Sequence, residues 1–213
     1  MLFLLAALAA QAAKPTPSTS AAPAAPATAD VVRAVETKYR DVDSLRARFV
    51  QVVHSDIYGD ERQTGTMVLS RPDRLRWSFD ESHKLFVSDG TALWIYTPAD
   101  KQAMKMPSPK SQGASADLLL SLDKLTERFV VSVVQTSELA GHVLSLAPKG
   151  SDELFKELRL TLDPKLVVTN LRVVDPMGTV TDLQFSDVVL SGEPVPDSEF
   201  KFTPPPGVDV VSQ

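Results

Sequence analysis

From Ser44 onward the chain repeats with a period of two. Leu75, Trp77 and Phe79 alternate with Arg74, Arg76 and Ser78. Leu158, Leu160 and Leu162 alternate with Arg159 and Thr161, Leu144 and Leu146 flank Ser145, and Met104 and Met106 flank Lys105. Successive residues of a strand point to opposite faces, so each such strand has one apolar and one wet face. Sheets of this kind are antiparallel, because parallel ones are covered on both sides. Turn chemistry fits. Ser88-Asp89-Gly90-Thr91 suits a tight hairpin, and Asp175-Pro176-Met177-Gly178 suits a type I turn. Asp163-Pro164-Lys165 and Lys149-Gly150-Ser151-Asp152 are further breaks, and a long first hairpin turns at Tyr58-Gly59-Asp60. Turns roughly 8 to 15 residues apart predict one large meandering sheet without βαβ units.

Two stretches depart from that period. Val31, Val32, Val35 and Tyr39 recur at helical spacing behind Asp30, a good N-cap, and Glu36 stands four residues before Arg40. This predicts an amphipathic helix over 31–40. After a loop from Met106 to Gly113, the run from Ala114 to Leu122 carries Leu118, Leu119, Leu120 and Leu122 and no β-branched residue. It reads as a helix, apolar nearly all round, that packs on the sheet. Helices gathered on one face of an antiparallel sheet make an α+β architecture.

The chain ahead of Asp30 reads as something other than core. Leu2 to Ala10 is a short apolar run, and Ala10-Gln11-Ala12 offers small residues at signal-peptidase spacing, although no Lys or Arg precedes Leu2. The expected layout is a signal peptide over 1–12, cleaved near Ala12, a Pro/Ala-rich linker over 13–29, and one folded domain over 30–213. Export from the cytoplasm follows from that reading.

Composition removes several kinds of chemistry. There is no cysteine, so disulfides, thiol catalysis and Cys-ligated metals are out, and so is an acylated N-terminal cysteine. A formal charge of −5 argues against a general nucleic-acid binder. His54, His83 and His142 are far apart, no Gly-x-Ser-x-Gly occurs, and the glycines never cluster into a phosphate-cradling loop. Asp80 and Glu81 are adjacent, which on a strand sends them to opposite faces, wrong for a shared acid–base task, and they read as a solvated hairpin end. His54-Ser55-Asp56 reads as a polar hairpin tip. The expectation is therefore no catalytic residue, no metal and no cofactor.

What stands out is apolar. Phe49, Leu69, Leu75, Trp77, Phe79, Leu93, Trp94, Ile95, Tyr96, Met104 and Met106 fall within one short stretch of strands. They read either as an ordinary core roofed by the helices or as the lining of a cavity for lipid.

Four segments tilt that choice. They are Leu45-Arg46-Ala47-Arg48-Phe49-Val50-Gln51, then Leu69-Ser70-Arg71-Pro72-Asp73-Arg74-Leu75-Arg76-Trp77, then Val87 to Pro98 with Ser88-Asp89-Gly90 and Trp94-Ile95-Tyr96, and finally Phe200 to Val210 with Thr203-Pro204-Pro205-Pro206-Gly207. In this order they resemble the LolA family, periplasmic carriers of outer-membrane lipoproteins. The resemblance spans residues 31–211.

It implies an incomplete antiparallel β-barrel of about eleven strands, with helices across its concave face as a lid. It also implies a cavity that takes acyl chains. The apolar positions assigned to it are Phe49, Met67, Leu69, Leu75, Trp77, Phe79, Leu93, Ile95, Met104, Met106, Leu118, Leu119, Leu122, Leu144, Leu146 and Leu160. The Arg of Arg-Pro, here Arg71, is implied to latch the lid through hydrogen bonds to helix backbone. From the residues alone, Arg71 either shares the apolar face with Met67 and Leu69 or marks a strand end in water. The implied partners are acylated lipoproteins, an inner-membrane ABC-type extractor and an outer-membrane receptor, with the carrier itself a monomer. The other reading of such a half-barrel is a signalling module that senses lipid or lipoprotein. Arg71, Arg74 and Arg76 together read either as a basic patch for a partner or lipid head groups, or as ordinary solvated charge.

Overall fold

The computed structural model describes residues 28–56, 59–108, 115–134, 141–150 and 155–212. The signal-peptide reading and most of the linker lie outside them, as do Tyr58, most of the loop before Ser115 and the turn at Ser151-Asp152.

Twelve strands form a single open sheet: β1 Ser44–Ser55, β2 Gly59–Ser70, β3 Arg74–Phe79, β4 Leu85–Asp89, β5 Ala92–Thr97, β6 Gln102–Pro107, β7 Phe129–Val134, β8 His142–Pro148, β9 Glu157–Leu162, β10 Val168–Val174, β11 Val180–Ser191 and β12 Asp209–Ser212. Their spatial order is β12-β6-β5-β4-β3-β2-β1-β11-β10-β9-β8-β7. All neighbours are antiparallel except β12, which runs parallel to β6. That short edge strand is the one added to the expected eleven; its four residues carry no alternation long enough to read. The sheet does not close on itself, since β12 and β7 are both edges. Register shifts between Arg46 and Arg48 on β1 and between Val168 and Asn170 on β10 are where strands bend.

The hairpin turns follow their chemistry. The Asp89 carboxylate accepts from the backbone of Thr91 and Ala92, which holds it below the usual carboxylate range, and Gly90 takes φ +92. Asp80 and Glu81 lie at an exposed hairpin end, where strand parity does not apply. β3 ends at Phe79, so both sit in a turn, and the Thr64 hydroxyl donates to both carboxylates, at 2.9 and 3.0 Å. The Thr64 backbone N–H holds Glu81 below its ordinary pKa.

The first helix, α1, spans Thr28–Tyr39 and so begins three residues before Val31 and ends one before Arg40. Asp30 lies in its first turn, where a carboxylate suits the positive end of the helix dipole. Glu36 ignores Arg40. Its Oε1 accepts instead from the N–H and hydroxyl of Thr126, at 2.8 and 2.7 Å, tying α1 to a helix ninety positions away in sequence. The leucine run is also broken. Helix α2 covers Ser115–Leu120, a 3-10 turn covers Leu122–Lys124, and α3 covers Leu125–Arg128. Ser121 and Lys124 each donate three residues back, to Leu118 and Ser121, so the Leu120 carbonyl is left for another donor.

Val31, Val32, Val35 and Tyr39 of α1 join Leu118, Leu119, Leu120, Leu122 and Leu125 in one buried cluster with the concave face of the sheet. Tyr39 anchors it: the backbone N–H of Val168 donates to its hydroxyl at 3.1 Å, and burial pushes that hydroxyl up to about 12. The unfolded chain ionises near pH 10, so between pH 10 and 12 the folded state holds the extra proton. Stability is complete below pH 10 and should fall by about 1.4 kcal/mol per pH unit as pH rises toward 12. Tyr39→Phe should remove this alkaline steepness in urea melts. It should cost about 1 kcal/mol at pH 7, through the unpaired Val168 N–H.

Candidate functional site

Cross-strand register defines the concave face. Ala47, Met67, Trp77, Phe86, Ile95 and Met104 face one another in turn from β1 to β6. On the other side of β1, Phe49 faces Phe185, and two residues along β11 a second row runs from Leu183 through Leu171 and Leu160 to Leu144 on β8. One apolar surface therefore runs across the sheet.

The sixteen apolar positions divide on it. Phe49, Met67, Leu69, Phe79, Leu118, Leu119, Leu122, Leu144, Leu146 and Leu160 are buried in the single cluster beneath the helices, with Leu75 and Trp77 half-buried against it. Leu93, Ile95, Met104 and Met106 are half-buried and belong to neither buried cluster among the described residues. They pair as Leu93 with Met106 and Ile95 with Met104 at the β5–β6 end of the face. Phe49, Trp77, Phe79 and Phe86 form a chain of rings between the two zones, with centroids 5.1 to 6.3 Å apart. Sequence reasoning passed over Leu125, Leu171, Leu183 and Phe185, although the alternation in β10 and β11 was there to be read. A separate cleft of about 450 Å³ lies between α1, α3 and β7, lined by Thr28, Ala29, Val32, Arg33, Glu36, Thr126 and Val131. None of the sixteen positions lines it.

Trp94 and Tyr96 stand apart from the sixteen. They alternate with Leu93 and Ile95 and so face the opposite, convex side, where Phe202 packs 5.6 and 5.3 Å from their rings. There a strap over residues 193–208 crosses the sheet, with Val195 and Phe200 buried against Val87.

Arg71 lies just past the end of β2, in the turn to β3, so strand parity does not place it. Its guanidinium reaches four acceptors. Nη1 donates to the Arg40 carbonyl at 3.2 Å, and Nη2 donates to the carbonyls of Tyr39 at 3.4 Å and Leu120 at 2.5 Å and to Asp123 Oδ1 at 2.8 Å. The Arg71 side chain is 29% exposed and that of Asp123 14%. One cation thus stands at the C-terminal, negative ends of α1 and α2 together, satisfying carbonyls that helix geometry orphans.

The basic-patch reading is corrected. Arg71 is turned to the helices, whereas Arg74 donates to the Val195 carbonyl and pairs with Asp197. Arg76 donates to the Glu199 carbonyl at 3.2 Å, and Arg46 pairs with the Glu199 carboxylate at 2.7 Å. That pairing lowers the Glu199 pKa. These arginines hold the strap to the sheet.

Among the described residues, no group of three or more His, Cys, Asp or Glu could hold a metal ion. His54 pairs with Asp60 across the first hairpin, at 3.0 Å. Also among them, no helix is long and apolar enough to cross a membrane.

Residues 40–203 match the family model described as outer membrane lipoprotein carrier protein LolA. An outer-membrane lipoprotein carrier protein of Legionella pneumophila strain Paris is 32% identical over 84% of this chain and 88% of its own length. One from Methylobacillus flagellatus is 30% identical over 87% of this chain and 90% of its own. Among solved structures, an uncharacterized conserved protein from Thermus thermophilus shares the fold at TM-score 0.53 and 16% identity, covering 87% of this chain and 98% of that one.

Proposed function

The chain belongs to the LolA family of outer membrane lipoprotein carriers, and from that premise we propose that it carries lipoprotein acyl chains across the periplasm on the concave face of its sheet. The observation that carries this reading is the continuous apolar face from β8 to β6, buried under three short helices at one end and only half-buried at the other. Acyl chains would enter at Leu93, Ile95, Met104 and Met106, pass the rings of Trp77 and Phe86, and displace the leucines of α2 and the turn after it.

Transfer energetics suit a passive shuttle. Each methylene taken from water is worth ~0.8 kcal/mol, so a long acyl chain gains ~10 kcal/mol in membrane or protein alike. Extraction is then nearly isoenergetic, and moving the helices adds a cost. An inner-membrane ABC-type extractor would supply the work of loading, and an outer-membrane receptor with a better-fitting cavity would unload. The role needs no chemical step, which agrees with a site built of apolar side chains.

Arg71 is the latch in this reading: it holds α1 and α2 over the face until cargo enters. The test is displacement of a bound hydrophobic dye. Triacylated lipoprotein should displace it, whereas the same protein with its acyl chains removed should bind roughly 100-fold more weakly or not at all. Equal displacement by both would refute acyl binding. In cells, depletion should strand lipoproteins at the inner membrane; a sensing module would leave them sorted.

A further inference from the structure

Arg71 is itself held from the far side of the sheet. Ser70, the last residue of β2, is fully buried, and its hydroxyl oxygen accepts from the Val195 N–H at 3.1 Å and from Arg74 Nη2 at 3.0 Å. The same Nη2 donates to the Arg71 carbonyl at 2.7 Å. Arg74 Nη1 donates to the Val195 carbonyl at 3.2 Å and pairs with Asp197, and the guanidinium stacks 5.2 Å from the buried Phe200 ring. One side chain on the convex face therefore grips both the strap and the backbone oxygen of the residue whose side chain grips the helices.

We propose that Arg74 is the positioning residue for the Arg71 latch, so that strap and lid act as one coupled unit. The proposal rests on the latch reading above. The Arg71 guanidinium must meet four acceptors spread over two helix ends and the turn after them. Hydrogen bonds weaken steeply once distance or angle drifts, so the turn must be fixed to a fraction of an ångström. The Arg71 N–H is fixed by the Asp43 carbonyl at 2.8 Å and the Asp73 carbonyl by the Ser88 hydroxyl at 3.2 Å. The Arg71 carbonyl is fixed by Arg74, which the strap orients. Lifting the strap from the outer face would loosen the lid on the inner face.

The experiment is amide hydrogen exchange of the full chain, read on α1 and on peptides over 118–125, for Arg74→Gln, Arg71→Leu and the double variant. Arg74→Gln should speed exchange in both helical segments by roughly 10-fold. It should add nothing once Arg71 is already Leu. Additive effects, or faster exchange confined to the strap, would overturn the coupling while leaving the latch in place. If Arg71→Leu alone leaves both segments unchanged, the latch reading fails and the coupling falls with it. Should Arg74→Gln fold poorly, Ser70→Ala removes the shared acceptor of Arg74 and Val195 and must show the same non-additive pattern.

Discussion

Replacing Arg71 by Leu should free α1 and α2 without unfolding the sheet. The change strips four acceptors of their donor at once. Three are carbonyls at helix ends, and the fourth is the Asp123 carboxylate, largely out of water. A net ~2 kcal/mol is expected, because hydrogen bonds to charged groups are worth about 1.5–3 kcal/mol each but the site is partly wet and water can replace some of them. The loss should appear in the lid alone. Hydrogen exchange in α1 and α2 should rise by roughly 10- to 100-fold, while β1, β2 and β11 keep the protection of the global fold. An open lid also lowers the barrier for cargo leaving, so lipoprotein release into vesicles should quicken. Uniform loosening of the sheet, or helices as protected as before, would contradict this.

The larger cost in stability is expected at Gly65. This residue sits on β2 opposite Phe79, and a Cβ added there would lie 2.1 Å from the Ser78 carbonyl oxygen and 2.6 Å from the Phe49 ring. The ring can turn away, but the carbonyl belongs to the neighbouring backbone. Gly65→Ala should therefore strain the β2–β3 pairing by about 3 kcal/mol, seen as a lower urea midpoint at unchanged slope. The displaced Phe49 ring would also disturb the ring chain leading to Trp77, so the same variant should bind hydrophobic dye differently. Adding Phe49→Ala must not rescue stability, since the clash with Ser78 persists; rescue would show that ring crowding was the whole effect.

How much of this was legible beforehand differs from element to element. The sheet was, because alternation is a local record of which face each residue serves, and β3 and β9 carry it without interruption. The convex cluster was not. In Ala92-Leu93-Trp94-Ile95-Tyr96 both parities are apolar, so period two cannot say which side a ring takes. The four acceptors of Arg71 lie 31 to 52 positions away, beyond any local signal, and its suggested role came from a resemblance and not from spacing. The grip of Arg74 on strap residues 121 and 123 positions away had no sequence signal at all, and three arginines in six residues read only as a patch or as solvated charge.

The amino-acid order by itself determined that this chain makes a broad antiparallel sheet with a continuous apolar face and a few short helices to lay on it. Side-chain parity, glycine placement and helical spacing are set within a few residues. Only the tertiary structure decided which apolar residues are sealed and which stay half-open, and which cation meets which carbonyl. Those outcomes depend on where distant backbone ends come to rest, and a guanidinium takes its partners from whatever the fold brings within about 3 Å of its nitrogens.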